Sequence, residues 1–198
     1  MIMGLTGGIA SGKSTVSAML VDKGARLVDA DVIAREIMLP GSPVLAAVVQ
    51  QFGEDILLPD GTLNRARLGE RVFHDPEARQ KLNDLTHPAI RSEIKKRMYS
   101  LEQEDAQGLI IVDIPLLYES HLDTLFQEIV VVYIPREMQL TRLMERNSLT
   151  LAQAEGRLKA QMDIERKRSM ATYAIDNSRD LAHTGQQVAD LWDRLGLS

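Results

Sequence analysis

The chain has 198 residues, 44% of them hydrophobic and 26% charged, which is enough apolar material for a sizeable core and excludes intrinsic disorder and fibrous classes. The net charge of −5 argues against a broad nucleic-acid surface, which would carry excess lysine and arginine, yet leaves room for a local anion site. The absence of cysteine excludes disulfides and thiolate metal sites, and the N-terminus has neither a basic leader nor a membrane-length apolar run, so the expectation is a cytoplasmic protein with no membrane or nucleic-acid partner.

The first apolar run, Ile2 to Leu5, reads as a buried strand and leads into Gly7-Gly8-Ile9-Ala10-Ser11-Gly12-Lys13-Ser14, followed by a helix-like stretch. This octet fits G-x-x-x-x-G-K-[ST], and both flanks are those the motif requires. The glycines let successive N–H groups and a helix N-terminus converge on phosphate oxygens, Lys13 balances charge on the β and γ phosphates, and Ser14 offers a hydroxyl to Mg²⁺. Residues Gly8, Ile9, Ala10, Ser11, Gly12, Lys13, Ser14 and Thr15 are therefore the expected ATP contacts. The four fixed positions would arise by accident on the order of once in a hundred chains of this composition, so a chance glycine-rich turn is the weaker explanation.

A second strand is expected at Arg26 to Val28, with Asp29 and Asp31 just past its end. Phosphoryl transfer to a hydroxyl needs a carboxylate that orients the O–H and accepts its proton, and Asp31 is the choice for that base. Asp29 either caps the helix that begins near Val32 or serves Mg²⁺. The interval 32–107 is too long for one crossover. It holds a turn-rich stretch (Pro40, Gly41, Pro43), a hairpin or loop at Pro59-Asp60-Gly61, and two helical patterns, Glu77 to Leu85 and Ala89 to Leu101, divided at Pro88.

A third strand, Leu109 to Val112, ends at Asp113, which either binds Mg²⁺ through water or serves as a buried hydrogen-bond partner of the phosphate loop. No Asn-Lys-x-Asp segment is present and no Asp-x-x-Gly follows this strand, which weighs against a GTPase switch. After a fourth strand, Ile129 to Ile134, Arg142 and Arg146 lie one helical turn apart. The charged interval 146–170 has a helix start at Thr150 with Leu151, Ala154, Leu158 and Met162 at helical spacing, and carries Arg157. It reads either as an ordinary solvated helix or as a lid whose closure brings guanidinium groups onto a transferring phosphate. Tyr173 to Ile175 is a weaker fifth strand.

Continuous apolar strands alternating with helices imply a parallel sheet covered on both faces. The expected fold class is a three-layer α/β P-loop kinase fold with a five-stranded parallel sheet, an inserted helical substrate subdomain and a helical lid. The expected organisation is one domain over 1–198, with core 1–31, 108–145 and 171–198, insertion 32–107 and lid 146–170.

Several segments together resemble dephospho-CoA kinase over nearly the whole chain: Gly4-Leu5-Thr6-Gly7-Gly8-Ile9, Asp29-Ala30-Asp31 with Ile33-Ala34-Arg35, Leu82-Asn83 through Leu85-Thr86-His87-Pro88, Pro115-Leu116-Leu117-Tyr118-Glu119, and Asp176-Asn177. The resemblance implies phosphorylation of the ribose 3′-hydroxyl of dephospho-CoA by ATP with Mg²⁺, giving CoA and ADP. It implies Asp31 as base, Lys13 on the phosphates, Arg142 near the lid, and substrate contacts from Asp31, His87, Leu116 and Tyr118. Ala10 stands where the family more often has glycine, tolerable if its φ is negative. Tyr118 stands where an apolar residue is commoner, and for His87 the chemistry alone favours packing or capping. The alternatives are a kinase of the same architecture acting on a nucleoside monophosphate or a shikimate-like acid, which would not need so long an insertion, and a non-catalytic nucleotide switch.

Overall fold

The structure, a computed structural model, describes residues 1–197. The chain folds as two compact units, one made of Met1–Val28 with the chain from Ser100 onward, the other of Asp29–Tyr99. The second unit thus starts and ends a few residues before the insertion limits expected at 32 and 107.

The first unit is built on a sheet of five strands: β1 (Ile2–Gly7), β2 (Arg26–Asp29), β3 (Ile110–Asp113), β4 (Glu128–Tyr133) and β5 (Tyr173–Asp176), in the order β2-β3-β1-β4-β5. The β1–β3, β1–β4 and β4–β5 pairs run parallel, with Leu5 opposite Asp113 and Gly7 opposite Val132. The weakest strand expectation, at Tyr173, is met because β4 supplies the ladder that so short a run cannot supply itself. Met3 and Leu5 of β1 face a core shared with Leu109, Ile111, Val130, Val132 and Ile175. That core is closed by Val16 and Leu20 of α1 (Lys13–Asp22) and by Val188 and Leu191 of α9 (Leu181–Arg194). Alternation sends Gly4 to the opposite face, where a side chain would press on Leu117 and Phe126.

The charged interval after β4 forms three helices. α6 (Arg136–Asn147) ends at Ser148 in the left-handed region, φ 51°, and α7 (Leu151–Lys159) starts at Thr150 with a reciprocal capping box to Gln153. Leu143 of α6 with Ala154 and Leu158 of α7 forms a small core against Ile9 and Ala10. α8 (Ile164–Met170) is capped by the Asp163 carboxylate.

The second unit is helical: α2 (Ala30–Glu36), α3 (Pro43–Phe52), α4 (Arg65–Phe73) and Pro76–Tyr99 of α5 (Pro76–Glu104). Ser42 caps α3 with Pro43 at its first position, and the Pro59-Asp60-Gly61 turn is closed by Leu58 N–H to the Thr62 carbonyl at 2.8 Å. Met38, Leu45, Val48, Phe52, Ile56 and Leu68 make its core, with Leu82 and Leu85 packed against it. Here one expectation is corrected: Pro88 does not divide two helices but lies inside the single α5. Proline in a helix interior costs about 3 kcal/mol through its missing donor and its clash with the preceding turn. Partly buried Leu82 and Leu85 before the proline and buried Ile94 after it hold both halves in one register, and Thr86 Oγ1 donates to the Leu82 carbonyl at 2.9 Å. His87, expected at a helix start, therefore sits in mid-helix.

Candidate active site

The phosphate loop joins the end of β1 to the start of α1, at the sheet edge where ligands bind in parallel α/β folds. Gly12 takes φ 79° as it enters the helix, and a side chain there would collide with Asn177; at Gly8 one would collide with Gln139. Ala10 corrects the condition set on it, because its φ is +61°. A methyl in that region costs about 1–2 kcal/mol, a cost the loop carries where glycine would avoid it.

Buried side chains lock the outer surface of the loop in place. Asn177 Nδ2 donates to the Ser11 carbonyl at 2.8 Å while Asn177 Oδ1 accepts from Thr184 Oγ1 at 2.8 Å, and Asn177 is 6% exposed. Gln139 Nε2 donates to the Ile9 carbonyl at 2.9 Å, and Ile9 N–H donates to Gln161 Oε1 at 3.1 Å. The Asn177 and Gln139 bonds occupy the Ser11 and Ile9 carbonyls, while the Ile9 N–H is committed to Gln161 and the Ser11 N–H to the Gly8 carbonyl at 3.1 Å, so the loop backbone is fixed at several points before any ligand binds.

Lys13 Nζ, at the start of α1, is paired with Asp113 Oδ1 at the end of β3, so Asp113 takes the phosphate-loop partnership that was one of its two expected roles. Ser14 is exposed in the first turn of α1. An open cleft of about 640 Å³ beside the loop is lined by Ala10, Gly12, Thr15, Arg142, Arg146 and Asn177, among others. Arg142 also donates to the Asn177 carbonyl at 3.1 Å, so it faces the Gly12–Thr15 side of the loop. Arg157 is exposed on α7.

The family follows from comparison with known proteins. The sequence model of the dephospho-CoA kinase family (CoaE) matches residues 1–183. The chain belongs to the dephospho-CoA kinase family. Dephospho-CoA kinase of Listeria monocytogenes (strain EGD-e) is 46% identical over 195 residues, covering 97% of this chain and 96% of that one. Among solved structures, dephospho-CoA kinase from Campylobacter jejuni superposes with a TM-score of 0.76 at 32% identity over 98% of this chain and 96% of that one. TT1252 from Thermus thermophilus gives 0.80 at 29% identity over the same shares. As a member of this family the chain is a phosphotransferase that converts dephospho-CoA to CoA at the expense of ATP.

Within a dephospho-CoA kinase the other expected residues take these positions. Asp29 ends β2 and caps α2, its Oδ1 accepting from Asp31 N–H at 2.8 Å and Val32 N–H at 3.0 Å, which leaves Asp31 as the exposed carboxylate of the pair. In the turn after β3, Leu116 is 41% exposed, but Tyr118 is 3% exposed and its hydroxyl is buried with no partner among the described residues. Burial, and then the nearby Asp123, push that phenol up to about 12. In this arrangement the ring is enclosed by the protein. His87 is half-buried, and burial first, then Arg91, hold its imidazole below the usual histidine value.

Gln139, Gln161, Thr184 and Lys167 did not emerge from the sequence. Gln139 stands four residues before buried Leu143 and Lys167 three after buried Ile164, so helical spacing alone places each on an inward face. The motif carries no mark of that. Among the described residues no three histidine or acidic side chains cluster to hold a metal, and no helix is long and apolar enough to cross a membrane.

Proposed function

We propose that Gly8–Thr15 cradle the phosphates of ATP, that Asp31 accepts the proton of the ribose 3′-hydroxyl of dephospho-CoA, and that Lys13 and Arg142 hold the nucleotide's negative charge. What supports this reading is the locked loop, with its Ser11 and Ile9 carbonyls bonded to Asn177 and Gln139 and the Lys13 ammonium paired with Asp113. A preorganised set of donors acts where charge develops in transfer, so little reorganisation is needed at reaction.

The cleft beside Gly12 and Thr15 takes the nucleoside half of ATP, with Arg142 along its wall. The hard oxygen donors nearby, the Ser14 hydroxyl and the Asp113 carboxylate, suit Mg²⁺, which typically takes one or two protein ligands besides phosphate oxygens and water. Ser14 would hold the ion directly and Asp113 through water; bound there, Mg²⁺ would neutralise charge between the β and γ phosphates. With the Asp29 carboxylate committed to its cap, Asp31 retains the capacity to take a proton. For the acceptor, Leu116 provides exposed apolar surface and Tyr118 anchors the same turn through its buried ring, while His87 orients the CoA substrate as a neutral imidazole. α7, carrying Arg157, serves as the closing element.

The test is ADP release by purified protein with Mg²⁺-ATP and no acceptor, dephospho-CoA, nucleoside monophosphates or shikimate. The expected result is release that depends on dephospho-CoA. Release that depends on another acceptor, or is indifferent to all of them, contradicts the reading.

A further inference from the structure

Lys167 of α8 has 0% exposure, and its ammonium meets three acceptors: the Gly7 carbonyl at 3.3 Å, the Pro115 carbonyl at 3.2 Å and Glu119 Oε1 at 2.9 Å. Three donors thus find three partners. Taking an ammonium out of water costs several kcal/mol even after relaxation, and a leucine or methionine would fill the same space without that cost. Its partners indicate what the charge is for. Gly7 closes β1 and opens the phosphate loop, and Pro115 follows Asp113 by two residues at the end of β3. These are the two chain ends that carry Lys13 and Asp113.

We propose that Lys167 is a positioning residue for phosphoryl transfer, holding the entry of the phosphate loop and the turn after β3 at the spacing in which Lys13 and Asp113 face the phosphates, with Glu119 as its counter-charge. The proposal rests on the reading that the loop holds the phosphates of ATP. Because the peptide is trans, a Gly7 carbonyl drawn towards the buried lysine aims the Gly8 N–H the other way, out of the core. Thr6 Oγ1 donates to the same Pro115 carbonyl at 3.1 Å, so the turn is fixed from β1 as well. Glu119 Oε1 also accepts from Met162 N–H at 2.9 Å, tying the approach to α8 into the same knot. Tyr133 OH donates to Glu165 Oε1 at 2.5 Å, and Arg168 lies 4.5 Å over the Tyr133 ring. α8 is therefore a fixed post beside the loop.

The experiment compares wild type, Lys167→Met and Lys167→Arg for kcat, for KM of each substrate and for melting temperature, with kinetics taken below every melting transition. Small displacements of reacting groups cost on the order of 10²-fold in rate. Lys167→Met should lose roughly 100-fold in kcat with KM for dephospho-CoA within about twofold, and Lys167→Arg should stay within about tenfold of wild type. A folded Lys167→Met enzyme with wild-type kcat, or a loss that merely follows the unfolded fraction, overturns the proposal. If Lys167→Met does not fold, Glu119→Gln decides, because the amide oxygen can keep both bonds while the counter-charge is lost and an NH2 replaces the buried, unpartnered Oε2. Lower kcat at unchanged KM for dephospho-CoA supports the positioning role, and unchanged kcat overturns it. Lys13→Met is measured alongside: if it is as active as wild type, the phosphate-loop reading itself fails, whatever Lys167 does.

Discussion

Around the phosphate loop, the polar groups that set the backbone are buried and bonded across long stretches of chain: Asn177 to Ser11, Gln139 to Ile9, Lys167 to Gly7. In the inserted unit the charged contacts lie at the surface, as in Arg67 and Arg71 to Asp55 and Arg97 to Glu36 and Glu93, and the elements are held by the apolar cluster around Val48 and Ile56. The difference matches the chemistry asked of each. A transferring phosphate needs donors fixed in advance, and buried hydrogen bonds fix them. For a helical unit that packs on apolar contacts, surface pairs contribute little.

The contrast is sharpened most by one pair of substitutions. Asn177→Ala strands the buried Ser11 carbonyl and should cost about 1–3 kcal/mol in denaturant unfolding while raising KM for ATP. Arg67→Ala removes a half-exposed pair at 3.3 Å and should cost less than about 1 kcal/mol. Equal losses in the two variants would break the comparison.

A smaller effect is expected from His87, whose half-buried imidazole titrates below its unfolded value. A lowered histidine value means that the unfolded chain takes up the proton first. Its contribution is therefore complete above the unfolded value, near pH 6.5, and is lost as pH falls through the lower folded value. His87→Gln should flatten the decline in melting temperature between roughly pH 7 and 5. A decline as steep as that of wild type would remove His87 as its source.

Much of this was legible in the sequence where a local rule governs the outcome. Apolar runs fixed in length gave five strands within a residue or two at most ends, the phosphate loop declared itself by spacing, and Thr150 marked a helix start because capping is a short-range bond. Local rules failed where distant packing decides. Pro88 reads as a breaker, yet Leu82, Leu85 and Ile94 carry the helix through it. Ala10 is tolerable in the loop on condition of a negative φ, and its φ is +61°. Lys167, between Arg166 and Arg168, looks like one more solvated charge until β1 and the turn after β3 close over it.

The most direct test of the account is turnover of Asp31→Asn with Mg²⁺-ATP and dephospho-CoA, beside its affinity for ATP. Near-normal ATP binding is expected, with kcat lowered by roughly 10²-fold or more, the scale of a positioned base. Near-normal turnover in that variant would contradict it, and the proton would have to leave the hydroxyl by another group.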